Sequence, residues 1–402
     1  MVKQETAEEN PAGEQPPEKE AAFDIWTVLT LSGAHLASDI YGAMLAPMLP
    51  LLIKKLALSM TAAGALATVL KLGGLVQPFF GMWADKSDAR YFVIFAPTVT
   101  ALTMSLVGIA PNYWSIVVLL VINGFSVAAF HPAAAASVTR ASGRTWGRGM
   151  SGYMFGGEAG RSIGPLLIVN VVAYLGMEYS YLVAIPGIAA SALLYWRLRH
   201  REAARMAATS ASTIWEAVRA QKKPLLLLSG LILFRSTAII SFATFFPAYM
   251  MGKGASLQFA GSAVALYEFC GATGALFGGT LSDRFGRRAT MLVSQAATGP
   301  LLYLALVHSQ GPLGLAALAV AGFMAMCASP VQLTLAQELL PGSRSTAAGI
   351  VFFLGFEGSM FTLVVGAMAD WIGLGPALAF SVLASMLSIP FTLALPEPRR
   401  QR

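Results

Sequence analysis

Residues 278–288 read GGTLSDRFGRR, one acid and three arginines set between two long apolar runs. Each flanking run is long enough to cross a membrane, since a bilayer core about 30 Å thick needs about 20 apolar residues in a helix. The same pattern stands 198 residues earlier: Gly81, Asp85 and Lys86 in GMWADKSDAR (81–90) match Gly279, Asp283 and Arg284. At that offset Gly124-Phe125 also matches Gly322-Phe323, and His131-Pro132 matches Ser329-Pro330. One residue further in register, Gly143 matches Gly342 and Glu158 matches Glu357. A single pair is common by coincidence in membrane helices. An ordered series over several segments is the mark of an internal duplication, as in two-bundle transporters with a site between the halves.

Composition excludes an ordinary soluble domain. Of 402 residues, 56% are hydrophobic and only 12% charged, against about 25% charged in soluble proteins. The +7 net charge lies in short clusters between apolar blocks, so it marks topology and not a nucleic-acid face. Twelve apolar segments recur between Ile25 and Leu395, the first at 25–52 and the second at 61–84. The predicted architecture is an all-α membrane protein, twelve transmembrane helices in two pseudo-symmetric six-helix bundles. The expected units are a disordered tail (1–22), an N-terminal bundle (23–197), a linker (198–223), a C-terminal bundle (224–396) and a short tail (397–402). Of the 27 Lys and Arg residues, 21 fall in the termini and even-numbered loops, and three, Lys54, Lys55 and Lys253, in odd-numbered loops. Cytoplasmic loops retain such residues, so both termini, tails included, are expected in the cytoplasm. Cys270 and Cys327 lie inside apolar segments, where a disulfide framework is not expected.

Seven ionisable residues stand well inside spans: Asp39, Lys71, Glu158, Arg161, Arg235, Glu268 and Glu357. Each costs about 2.5–3.5 kcal/mol at a helix centre, so together roughly 20 kcal/mol must be relieved by pairing, protonation or water. A polar cavity between the bundles is the expected place for them. In GYMFGGEAGRSIGPLL (152–167), Glu158 and Arg161 share a helix face at i and i+3 and can pair, while the glycines allow close helix contact. Asp39 follows His35 by one turn. The four histidines (35, 131, 200 and 308) are far apart in the chain, so no metal site is expected, and His131 reads as a cap or kink with Pro132. Gly160-Arg-Ser162-Ile-Gly164 fits the formula of a nucleophile elbow, but that formula needs a strand–turn–helix context; no enzyme and no cofactor are expected.

These residues resemble the major facilitator superfamily. Its loop motif after spans 2 and 8 is complete in the second half (Gly279, Asp283, Arg284, Gly286, Arg288) and partial in the first (Gly81, Asp85, Lys86, Arg90), where Asp88 replaces a glycine. A narrower likeness is to the fosmidomycin-resistance type of efflux protein, through HLASDIYGAMLAPMLPLL (35–52) and FHPAAAA (130–136). Gly160 to Pro165 also resembles part of the span-5 motif of family antiporters. The resemblance implies a proton-coupled antiporter of the bacterial inner membrane that exports a small organic compound; the cations inside the spans would suit an anionic one, and a monomer is expected. The acids inside the spans, Asp39, Glu158, Glu357 and Glu268, are the expected proton carriers, and the cations Arg161, Arg235 and Lys71, with His35 and Tyr41 of the first span, the expected substrate contacts. The loop motifs would gate the cytoplasmic side. A proton symporter importing its solute would use the same fold and acids; the span-5 and span-1 likenesses favour export.

Overall fold

The computed structural model describes residues 23–86, 90–142, 146–199, 219–340 and 344–395. Both expected tails and residues 200–218 of the expected 198–223 linker lie outside the described residues. The described chain is helical throughout: α1 (Ile25–Gly42), α2 (Leu45–Leu56), α3 (Met60–Lys71), α4 (Gly73–Lys86), α5 (Arg90–Leu106), α6 (Tyr113–Ala141), α7 (Trp146–Leu175) and α8 (Ala184–Leu198) form the first half. The second half is α9 (Lys222–Gly252), α10 (Leu257–Phe285), α11 (Arg287–Val307), α12 (Pro312–Leu339), α13 (Arg344–Ile372), α14 (Leu374–Ala384) and α15 (Ser388–Ala394). These make twelve spans, because α1 with α2, α3 with α4, and α14 with α15 each compose one. The first span, expected as one helix over 25–52, breaks at Ala43-Met44. Pro47 is the reason: it has no N–H to give the Ala43 carbonyl, and its ring would clash with that carbonyl.

Glycines set how closely the helices approach. Gly156, Gly160 and Gly164 of α7 lie against the backbone carbonyls of Ser32, Leu36 and Ile40 of α1. Both rows advance by four residues, so the two helices mesh as a ridge of small residues on bare backbone. In the second half, Gly274 and Gly278 of α10 rest on the Phe323 and Cys327 carbonyls of α12.

The apolar core divides unevenly. At the end of the molecule away from the termini, one cluster runs through both halves, joining Met48, Leu52 and Val169 to Phe242, Phe246, Tyr267 and Val365. At the end carrying the loop motifs the core is two separate clusters, one around Leu31, Phe130 and Tyr153 and the other around Leu231, Leu335 and Leu354. The bundles are therefore sealed together at the far end and parted at the motif end. The seal has a polar clasp: the Asp370 carboxylate of α13 accepts the backbone N–H groups of Met60 (2.6 Å) and Thr61 (2.8 Å) and the Thr61 hydroxyl (2.5 Å). An anion thus caps the α3 N-terminus from the opposite bundle. Lys55, one exception to the charge asymmetry, donates to the carbonyls of Gly108 (2.9 Å) and Ala110 (3.0 Å) at the end of the third span.

The adjacent glycines 278 and 279 test this packing. A β-carbon at Gly278 would run into the Cys327 carbonyl, whereas one at Gly279 meets no atom within 4 Å. Gly278→Ala should lower the melting temperature through overpacking worth about 1–3 kcal/mol. Gly279→Ala should hold or raise it, because alanine favours a helix over glycine by about 1 kcal/mol. Thermal unfolding of the two variants checks both.

Candidate functional site

Ten segments of the described chain are long and apolar enough to cross a membrane. The two spans outside that set are α7 and α10, which carry Glu158, Arg161 and Glu268. They pack against each other across the boundary between the bundles. Arg161 is the link: one guanidinium nitrogen pairs with Glu158 on its own helix, and Nε donates to Glu268 Oε2 of the other bundle at 3.3 Å. Both carboxylates are largely covered, while 30% of the Arg161 side chain remains accessible. That accessibility lies at mid-span, at the seam where α7 meets α10 of the other bundle. Lys71 ends α3 beside the break at Leu72, is exposed, and lies within electrostatic reach of Arg161, Asp39, Glu268 and Glu158.

A second polar group adjoins the first. Asp39 of α1 sits between two histidines, with Oδ2 3.4 Å from His35 Nε2 and Oδ1 3.7 Å from His131 Nε2. The histidines, 96 residues apart in the chain, place their Nε2 atoms 3.2 Å from each other. His35 stacks on Tyr153, with ring centroids 4.1 Å apart, and Gly157 leaves room for its ring. The expected isolation of the histidines is thus corrected: α1 and α6 cross where a residue at i of one meets a residue at i of the other, a tertiary fact. His131 neither caps nor breaks α6, which continues through Pro132.

Two expected substrate contacts are buried and hydrogen-bonded within their own bundles. Tyr41 is fully buried and donates its hydroxyl to the Val183 carbonyl at 3.0 Å, tying the first span to the sixth. Arg235 is buried inside the C-terminal bundle, where it donates to the Ala325 carbonyl, to Ser329 Oγ (2.9 Å) and to Gln332 Oε1 (3.5 Å) of α12. Its charge is spread over neutral acceptors within one bundle, away from the gap. Ser162 donates to the Glu158 carbonyl within α7 (3.0 Å), so the Gly-x-Ser-x-Gly match is an ordinary helical stretch. Gly81, Asp85 and Lys86 lie in α4 and Glu357 in α13, and their side-chain surroundings are outside what the structure describes.

In the motif of the second half, Asp283 pairs with Arg287 (2.6 Å), which also reaches Glu338 of α12 (3.1 Å). Neither Arg287 nor Glu338 stands out in the sequence among neighbouring charges. Gly286 takes φ +100° between α10 and α11, a backbone that favours glycine. Arg284 lies over the Phe285 ring (5.4 Å), Gly279 faces open space, and Arg288 is half-buried. In the first half, Arg90 donates to the Arg199 carbonyl at 2.8 Å, joining α5 to the end of α8.

The profile of the Major Facilitator Superfamily matches residues 31–261 and 227–402. An uncharacterized MFS-type transporter, YfnC, of Bacillus subtilis (strain 168) is 27% identical over 394 residues, covering 94% of this chain and 95% of its own. The fosmidomycin resistance protein of Escherichia coli (strain K12) is 26% identical over 393 residues, covering 94% of each chain. Among solved structures, a bacterial homolog to the human lysosomal transporter Spinster, inward-facing and occupied, aligns with a TM-score of 0.79 at 15% identity, over 93% of this chain and 97% of that one. That likeness speaks to the fold.

Tyr41→Phe separates a structural from a binding role. Loss of the hydroxyl leaves the buried Val183 carbonyl without its donor, at about 1–3 kcal/mol. The melting temperature should fall while the KM of transport stays unchanged; a raised KM with an unchanged melting temperature would return Tyr41 to the solute path.

Proposed function

The chain belongs to the Major Facilitator Superfamily and is a multi-pass membrane transporter of a small molecule, and we propose that it is a proton-coupled antiporter exporting a small organic compound by alternating access. The observation that carries the proposal is Arg161, shared between Glu158 of its own bundle and Glu268 of the other at the floor of the gap. The charge pattern favours a cytoplasmic motif end, and hence a gap open to the cytoplasm. A solute entering there meets two carboxylates, Arg161 and Lys71. Closing the motif end and parting the far end would pull α10 from α7, taking Glu268 off Arg161 and changing what holds each carboxylate. Protonation is then tied to which face is open.

Direction follows from linkage. If the solute offers a donor or positive group to Glu158 or Glu268, it competes with the proton, and exchange results. If it is an anion seated on Arg161 and Lys71, it frees the carboxylates to take protons, and solute and proton travel together. The two cations in the gap favour that second reading, symport. The resistance named for the Escherichia coli relative favours the first. Proton release or uptake on binding, measured by calorimetry in buffers of different ionisation enthalpy with fosmidomycin as first probe, decides. Release supports antiport.

Glu158→Gln keeps the shape and hydrogen-bonding capacity of the side chain and removes its titration. Counterflow of solute, which needs no net proton movement, should survive, while pH-driven accumulation should fall at least about tenfold, a loss of roughly 1.4 kcal/mol of drive or more. Full accumulation by the variant would remove Glu158 from the proton path. Arg161→Ala leaves two covered carboxylates without their partner, so both solute binding and melting temperature should drop.

The second-half motif acts through conformation. Asp283 holds Arg287 against Glu338 at the mouth of the gap, and we expect it to exchange partners when the motif end closes. Asp283→Asn should slow transport and leave solute affinity within about twofold; lost affinity at unchanged rate would contradict a gating role. Substrate-independent accessibility of a cysteine placed in the gap reports the shift.

A further inference from the structure

The histidine pair beside Asp39 presents an arrangement that proton exchange at Glu158 does not explain. His35 Nδ1 lies 2.8 Å from the Tyr153 carbonyl oxygen, and His131 Nδ1 lies 2.9 Å from the Val127 carbonyl oxygen. A carbonyl only accepts, so each Nδ1 must carry its hydrogen and donate it. In the neutral rings both Nε2 atoms are then bare lone pairs. Yet they face each other at 3.2 Å, with the two Asp39 oxygens 3.4 and 3.7 Å away. Lone pairs converging in this way need a shared proton or a metal ion among them.

The spacing identifies its kind. A tetrahedral zinc-class ion with bonds of about 2.0–2.1 Å has ligand–ligand edges of about 3.3–3.4 Å. The closest donor separations of the cluster, 3.2, 3.4 and 3.7 Å, bracket that value, and one donor atom from each of the three residues lies within 4.8 Å of the other two. The outer contacts are those of a metal site: each imidazole donates its other N–H to a backbone carbonyl, which fixes ring and tautomer. Around the cluster, Glu158 and Glu268 offset Arg161 and Lys71, so among the described residues Asp39 is the uncompensated charge. His35 is buried, whereas 23% of His131 is accessible, which leaves an approach from the gap and a fourth position for water or an oxygen donor.

We propose that His35, Asp39 and His131 bind one zinc-class divalent cation. It would be held inside the N-terminal bundle at the wall of the gap. The site does not rest on antiport, and its test needs neither solute nor proton gradient.

The experiment uses the untagged full chain in lipid nanodiscs. Equilibrium dialysis against Zn²⁺, with metal counted by mass spectrometry, should saturate at one ion per chain. Co²⁺ in its place should give the intense visible bands of a four-coordinate ion. His131→Ala and His131→Gln, two variants in case one fails to fold, should each weaken Zn²⁺ binding at least about 100-fold and abolish the bands, while His308→Ala should change neither. No saturable binding by the parent chain at micromolar Zn²⁺ would overturn the proposal and leave a hydrogen-bonded histidine pair. Binding that survives both His131 variants would overturn it equally.

Discussion

A single guanidinium placed between two carboxylates, one from each bundle, is the constraint around which this molecule is arranged. At mid-span an isolated charge costs several kcal/mol, and breaking one partner from a buried pair costs about as much. Arg161, Glu158 and Glu268 escape that penalty only together, and only while α7 and α10 stay in contact. The two bundles are thus tied by an interaction that neither satisfies alone. Protons, anions and water able to reach the accessible part of Arg161 are the agents that could loosen it. Its composition shows in the helices that hold it: α7 and α10 are the spans that fall short in apolarity.

The position of that charge cluster depends on backbone approach. Three glycines four residues apart let α7 lie on the carbonyls of α1, and this contact brings Glu158 and Arg161 beside Asp39 and His35. Directly beyond the cluster, the shared apolar core seals the far end, with Asp370 capping α3 across the seam. Before it, the two separate cores leave the bundles apart. The ionisable groups therefore occupy the boundary between joined and parted halves, where a small rotation of one bundle changes their partners.

The duplication has not kept the two halves alike. Where the first half has His131, facing His35 and Asp39, the second has Ser329, facing Arg235. The same crossing of helices is polar in both bundles. In the first it gathers an acid and two histidines; in the second it locks a permanent cation onto neutral acceptors. The chemistry is concentrated on one side of the gap, and the C-terminal bundle contributes Glu268 across it.

Hydrophobic run length, charge asymmetry and an offset of 198 residues determined the helices, their number, the duplication and the presence of charges at mid-span, because each of these is written in linear order. The pairing of Glu158 with Arg161 was legible for the same reason: i and i+3 share a face of one helix. The break at Ala43-Met44 was within reach through Pro47. Contacts between helices were not. Glu268 as the second partner of Arg161, His131 as the neighbour of His35, and the burial of Tyr41 and Arg235 within their own bundles all depend on crossing angles and rotation of one helix about its axis. Glycine placement and packing fix those in three dimensions. A charge in a span signals that a partner exists, and only tertiary structure chose which one, because residues some 100 positions apart meet solely where two backbones are allowed to touch.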